Sequence, residues 1–405
     1  METLLLLGQV LAFVLMATIG CIIHRITKLD ITLSCLGSGV LAALIVTLFG
    51  FDLGLRANDV KDQVFYLLLP VLVFQAAWHL KPDLLKKWLT PAMLLATVGV
   101  LITCLLCGFG LYWGIGHPAA FPLSTALIGG AILSATDPIA VVATLVRLKA
   151  PEDLATLFET ESLLNDGTAI VLFGIVMAVA TGEMSQPAIL PVLLKFCVVF
   201  FGGMVVGAIC GWLGMWTIRL LQGQQQSMLV LLLLAFGSFF VAEHFLHVSG
   251  IMATAVSALV CQIQLHKHPH LYKQLSSGLD WFGLLFNLLI FCLMGVVLTA
   301  DMFTERYLAI GIAIIAAVAA RFASVYLCQT ALSAVGKPLP AGWPLLLSWG
   351  GLRGAIAIAL VLSLPTEIPG WWTIQSMVFG VVLFSLLVQG TSFGPLLRRQ
   401  QATKP

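Results

Sequence analysis

The sequence predicts an all-α polytopic membrane protein, and three observations carry that prediction. Hydrophobic residues make up 60% of the chain and charged residues 9%, with a mean hydropathy of +1.05, which exceeds what a soluble core needs. Apolar runs approaching the roughly 20 residues that a helix needs to cross hydrocarbon recur thirteen times. Lys and Arg are concentrated in every second connection between those runs, as topogenic charge requires.

The first run, 4–23, follows Met1-Glu2-Thr3 without a basic segment or a clear small-residue cleavage site, so it is expected to stay as a helix rather than be removed as a signal. Runs 31–50 and 64–78 come next, the second of them short, and then 89–114. Run 122–146 carries Thr136-Asp137-Pro138 in its middle, and run 156–181 opens with Phe158 through Asp166. Run 188–217 has Gly203, Gly207 and Gly211 every fourth residue, a spacing that lets another backbone come close and reads as packing before it reads as a dimer seam. Runs 226–246 and 249–263 (short), then 281–300, 307–330, 342–363 and 373–395 complete the set. About ten residues follow the last run, so no appended soluble nucleotide-binding or regulatory domain is expected.

Orientation follows from the connections. The odd-numbered ones and the tail hold Arg25, Lys28, Lys81, Lys86, Lys87, Arg147, Lys149, Arg219, Lys267, Lys273, Lys337, Arg398, Arg399 and Lys404, against Arg56, Lys61 and Arg306 in the even ones. The N-terminus is therefore expected outside and the C-terminus in the cytoplasm. Nine cysteines lie mostly within apolar runs, so neither a disulfide framework nor a zinc site is expected. His266, His268 and His270 with Lys267 read as a solvated loop in preference to a metal site or pH sensor.

Function is written where acids enter the apolar runs, because an ionised side chain at the bilayer centre costs about 3 kcal/mol even on lenient scales. Pro138 offers no N–H to the Ser134 carbonyl and pushes Thr136 toward extended backbone, so the fifth helix should break near Asp137. A mid-membrane break exposes carbonyls beside a carboxylate, oxygens of the kind that hold a dehydrated cation, with Ser134 and Thr136 adding their own. A plain proline kink with Asp137 as a hydrogen-bonding residue is the weaker alternative.

In the sixth run Glu161 stacks with Asn165 and Ser162 with Asp166, each pair four apart. Five residues separate Glu161 from Asp166, so at 3.6 residues per turn they point about 140° apart. Asp166 can then face Asp137 across a cation site while Glu161 takes an arginine from another helix and Asn165 bridges by hydrogen bonds. Desolvation and a like charge nearby penalise bare carboxylates, so a proton and a cation compete for Asp166, and competition at one site gives exchange. The bland alternative is that these four polar residues are interhelical glue; Glu159, nearer the helix start, reads as interfacial.

Arg321 in the eleventh run and Arg353 in the twelfth need acidic partners. Trp349-Gly350-Gly351-Leu352-Arg353-Gly354-Ala355 permits a second interrupted helix. Seven spans separate it from the fifth, so the two run in opposite directions, as inverted repeats with crossing breaks require. The expected pairing is Arg353 with Glu161, Arg321 lying near the cluster without a firm partner.

Ala135-Thr136-Asp137-Pro138, Glu161-Ser162-Leu163-Leu164-Asn165-Asp166, Arg321 and Gly350-Gly351-Leu352-Arg353-Gly354-Ala355 together resemble the bacterial monovalent cation:proton antiporters of the NhaP/NHE type. The resemblance implies about thirteen membrane helices, a homodimer in the plasma (inner) membrane and elevator-type alternating access. An ion-carrying core over about 89–181 and 307–396 would work against dimerisation helices over 4–78 and 188–300. It implies that Asp137, Asp166, Ser162 and the Thr136 carbonyl hold the cation, and that Glu161, Asn165 and Arg353 form a bracing network. Asn165, where a relative has Asp, matches an electroneutral branch exchanging one proton per cation. One departure is Leu69-Pro70-Val71-Leu72-Val73-Phe74-Gln75, where many relatives carry a second proline at Val71 and a glutamate at Gln75, a loss that bears on affinity or pH dependence.

The expected activity is secondary exchange of a monovalent cation, sodium first with lithium or potassium as alternatives, for a proton. It involves no enzymatic chemistry, cofactor, nucleotide or nucleic acid. A uniporter or channel using the same site is the nearer rival. An intramembrane aspartyl protease built on Asp137 and Asp166 lacks its GxGD signature and leaves Glu161, Arg321 and Arg353 unexplained.

Overall fold

The computed structural model describes residues 2–49, 63–117, 120–182, 189–221, 223–265 and 268–402. Arg56, Lys61, His266, Lys267 and Lys404 lie outside them.

The described chain is almost wholly helical, because backbone groups in hydrocarbon must be satisfied within their own segment. Helices α1 (Glu2–Thr27) and α2 (Ile31–Phe49) turn at Lys28, whose φ is +57°. A π-helical stretch, Gln63–Leu68, leads into α3 (Leu69–Trp78). Helix α4 (Pro82–Ile115) opens on a proline, whose missing N–H costs nothing at a first turn. Its interior Pro91 is followed by a π turn over Leu95–Gly99, a usual companion of a bent helix, and it ends at left-handed Gly116.

The fifth run is broken as expected into α5 (Leu123–Ile132) and α6 (Ile139–Arg147), and the twelfth into α13 (Trp343–Trp349) and α14 (Ala355–Leu362). Between and after them run α7 (Glu152–Ala180), α8 (Ile189–Leu221), α9 (Gln225–Phe245), α10 (Gly250–Leu265), α11 (Pro269–Val297), α12 (Ala300–Ala334) and α15 (Trp371–Ala402). Among the described residues, eight helices are long and apolar enough to cross a membrane by length and composition; α2, α3, α5 and α10 belong to a shorter apolar group.

Helix α4 packs along α5, α7 and α12, and α12 along α15; α8 packs on α10, and α2 on α1 and α11. Close approach sets several of these contacts. A Cβ at Gly203, Gly207 or Gly211 of α8 would sit 2.3, 2.2 or 2.7 Å from the carbonyl oxygens of Ser249, Ala253 and Ser257, so the every-fourth-residue glycines seat α10 within the same chain. Gly39 of α2 and Gly295 of α11 meet each other's backbone in the same way.

Gly207→Leu forces α8 and α10 apart and is expected to cost about 3 kcal/mol, the upper part of the usual overpacking range. Thermal unfolding in detergent checks it; a melting temperature equal to wild type would contradict the packing described.

Candidate ion-binding site

The two interrupted helices meet at their breaks. The Asp137 N–H donates to the Leu352 carbonyl (2.8 Å), which makes a single antiparallel bridge between the two extended segments. Each break leaves carbonyls without helical partners, and side chains answer most of them. Arg353 Nη1 donates to the Ala135 carbonyl (2.9 Å). Gln389 Nε2 donates to the Trp349 carbonyl (3.2 Å), and Arg321 Nη2 to that of Leu347 (3.3 Å). The Ser134 carbonyl, deprived of an N–H by Pro138, accepts from Asn165 Nδ2 (3.2 Å).

Asp137 occupies the start of both second half-helices. Its Oδ1 accepts from the Ile139 N–H of α6 (3.0 Å), and the Ala355 N–H of α14 reaches the same carboxylate. Both partners are unsatisfied helix N-terminal donors, and the positive ends of two helix dipoles favour a negative charge between them. Gly354 is needed for this approach, since a Cβ there would lie 2.0 Å from Asp137 Oδ2.

Asp166 stands differently. Its Oδ1 is buried with no hydrogen-bond partner among the described residues, and it lines the same cleft as Asp137. Ser162, one turn earlier on α7, also lines the cleft and donates its hydroxyl to the Thr136 carbonyl. Asn165 offers Nδ2 to Thr136 Oγ1 (2.9 Å) and Glu161 Oε1 (3.3 Å) as well as to Ser134, so it ties the broken segment to the acid below it.

Glu161 turns away from the cleft into a two-pronged ion pair. Arg321 Nη1 donates to its Oε1 (3.0 Å) and Nη2 to its Oε2 (3.1 Å), both residues being 2% exposed or less. The expected partnership of Glu161 with Arg353 is therefore corrected. Arg353 lies within the extended break of the twelfth run, where its guanidinium reaches the freed carbonyl end of α5. Arg321, on α12 beyond its kink at Arg306, faces Glu161 of α7. A bidentate fork on a carboxylate is the geometry that repays burying both charges.

The cleft has a volume of about 380 Å³ and runs from the two aspartates past Glu159 to a mouth at Gln75, His79 and Asp280. Glu159, read as interfacial, lines it. At the mouth His79 Nε2 lies 2.7 Å from Asp280 Oδ1, and Gln75 Nε2 donates to the same oxygen (3.4 Å). Sequence reasoning missed the α11 wall. Its signal was the spacing of Asp280, Gly283, Leu284 and Asn287, one face of a helix at positions i, i+3, i+4 and i+7. His268 and His270 flank the start of α11, and no group of three or more potential metal ligands forms among the described residues.

Residues 11–399 match the family described as "Sodium/hydrogen exchanger, transmembrane". The chain is 33% identical to the Na(+)/H(+) antiporter NhaP of Pseudomonas aeruginosa over 99% of its own length and 98% of that protein's. It is 32% identical to the Na(+)/H(+) antiporter NhaH of Halobacillus dabanensis over 83% of this chain and 82% of that one. Its fold superposes on the solved sodium proton antiporter MjNhaP1 of Methanocaldococcus jannaschii with a TM-score of 0.79, at 20% identity, over 98% of this chain and 99% of the other.

Arg321→Leu leaves Glu161 buried and unpaired and is expected to cost about 3–5 kcal/mol, most of it recovered in a Glu161→Met, Arg321→Met double variant. Arg353→Leu, which frees a neutral carbonyl, is expected to cost about 1–3 kcal/mol. Thermal unfolding of the purified variants compares them; a larger loss at Arg353 than at Arg321 would overturn the pairing.

Proposed function

This chain belongs to the sodium/hydrogen exchanger family, and we propose that it is a secondary active transporter exchanging a monovalent cation, sodium first with lithium and potassium as alternatives, for a proton across the membrane. The observation that carries this reading is the unequal setting of two carboxylates in one cleft. Asp137 is held by two helix-terminal N–H groups, while Asp166 keeps an oxygen with no protein partner among the described residues. Exchange is the work of an ion site, with no enzymatic step, and the cation and proton are cargo with no cofactor beside them.

In our reading Asp137, Asp166, the Ser162 hydroxyl and the Thr136 carbonyl surround the cation, and Glu161, Asn165, Arg321 and Arg353 brace the frame. Two bare carboxylates in a low-dielectric cleft repel each other and lose hydration. A cation relieves both penalties by bridging them, and a proton relieves them by neutralising Asp166. Each form excludes the other. With Glu161 already neutralised by Arg321, the cation-loaded site carries the same net charge as the singly protonated site. We therefore propose electroneutral exchange, one proton per cation.

The site must face the two sides in turn. We propose that a core of residues 89–181 and 307–396 moves as an elevator against a scaffold of residues 4–78 and 188–300, in a homodimer of thirteen-crossing protomers. The breaks and their braces lie on α5–α7 and α12–α15, while α3 and α11 supply the facing wall of the cleft. The cleft mouth at His79 stands two residues from Lys81, in a basic connection, so by the charge rule it faces the cytoplasm of a plasma-membrane protein whose N-terminus lies outside.

Cation-driven proton release from proteoliposomes, with sodium, lithium and potassium in turn, tests the proposal. Wild type is expected to release protons at a rate unaffected by a potassium clamp, and Asp166→Asn to fall to background while still folding. Absence of exchange in correctly reconstituted wild type would sink the antiport reading, and clamp-sensitive flux would replace it with charge-carrying transport.

A further inference from the structure

Asn287 sits on α11 among apolar neighbours, 6% exposed, with an amide oxygen that has no hydrogen-bond partner among the described residues. A buried amide oxygen left unpaired costs about 1–3 kcal/mol, so this one calls for an explanation. Its position supplies one. Asn287 lines the cleft together with Asp137 and Asp166, and it also borders the narrow gap in which Asp137 and Arg353 meet α11.

The approach to it is built from the same helix face. Asp280 stands at the mouth, one turn above Gly283, whose missing side chain makes room for the Gln75 amide; a Cβ there would lie 2.7 Å from the Gln75 side chain. Asn287 stands one turn deeper, level with the crossing. The face therefore runs from a carboxylate, past an opening, to a neutral oxygen donor opposite the two aspartates. A neutral carbonyl oxygen suits an alkali ion because it coordinates without adding a third negative charge to the site.

We infer that Asn287 is a further cation-coordinating and specificity-determining residue, contributing its amide oxygen to the ion, directly or through one of the ion's waters, from the wall facing Asp137 and Asp166. This rests on the reading of that cleft as the cation site. The four oxygen sources already placed there all lie on α7 or at the α5–α6 break, and Asn287 supplies one from the opposite side. Because ion discrimination depends on how many oxygens reach the ion and how closely they do so, the residue acts on affinity and on the preference between sodium and lithium.

Calorimetric titration of the purified protein in detergent with sodium and with lithium chloride, alongside exchange in proteoliposomes, tests this. Asn287→Leu keeps the volume and removes the oxygen. It is expected to weaken sodium binding about tenfold and to change the sodium-to-lithium affinity ratio at least threefold. The half-saturating sodium concentration for exchange should rise in parallel, with the maximal rate within twofold of wild type. Asn287→Ala, which deletes the oxygen without adding bulk, carries the same expectation should the leucine variant fail to fold. Wild-type affinity and ratio in the leucine and alanine variants, or a loss confined to the maximal rate, would overturn the assignment. Wild type that binds sodium but fails to exchange would instead overturn the antiport reading, with the Asn287 ligation tested by binding alone.

Discussion

Two helices interrupted at the same depth create backbone donors and acceptors where there is no water to satisfy them, and the structure is arranged around that demand. The Asp137 N–H to Leu352 carbonyl bond joins the breaks to each other. Arg353, Gln389, Arg321 and Asn165 then close onto carbonyls left at the ends of α5 and α13. Those four residues come from the second break, α15, α12 and α7, so the crossing also locks together the helices around it. In a soluble protein water would meet part of this need; here each unmade bond costs the full desolvation penalty.

The crossing also explains why three acids so close together do different things. Glu161 is taken by Arg321 in a buried, bidentate pair that joins α7 to α12. Asp137 is held by N–H groups at the starts of α6 and α14, so its charge has support from the protein itself. Asp166 has the least support, and it is the carboxylate left with an unpartnered oxygen in the cleft. The neighbourhood of each group thus sets which acid is paired within the frame, which is held by helix-terminal N–H groups and which keeps an unpartnered oxygen in the cleft.

Much of this was legible beforehand. Pro138 and the glycines at 350, 351 and 354 announced both breaks through rules that act within a few residues. The four-residue spacings of Glu161 with Asn165 and Ser162 with Asp166 assigned them to separate ridges, and in the fold one ridge faces the braces and the other the cleft. The glycine row on α8 was legible as a close-packing signal, and α10 is the helix it packs against. The polar face of α11 went unnoticed because its three polar or small positions are diluted among apolar residues and gain meaning only beside α3 and α7.

The sequence by itself determined the class, the two breaks and the residues of the acid cluster, because hydropathy, proline sterics and helical periodicity are local properties of the chain. Tertiary structure alone decided who pairs with whom. Arg321 and Arg353 are equally in need of a partner when read along the chain. The choice between them depends on where α12 and the second break lie relative to α7, a distance of 160 residues in sequence that becomes a 3.0 Å contact in space. The same holds for Asp280 and Asn287, whose part in the cleft depends on the face that α11 turns toward the aspartates. Packing chooses that face, since charge-assisted hydrogen bonds and close glycine contacts act only over a few ångströms.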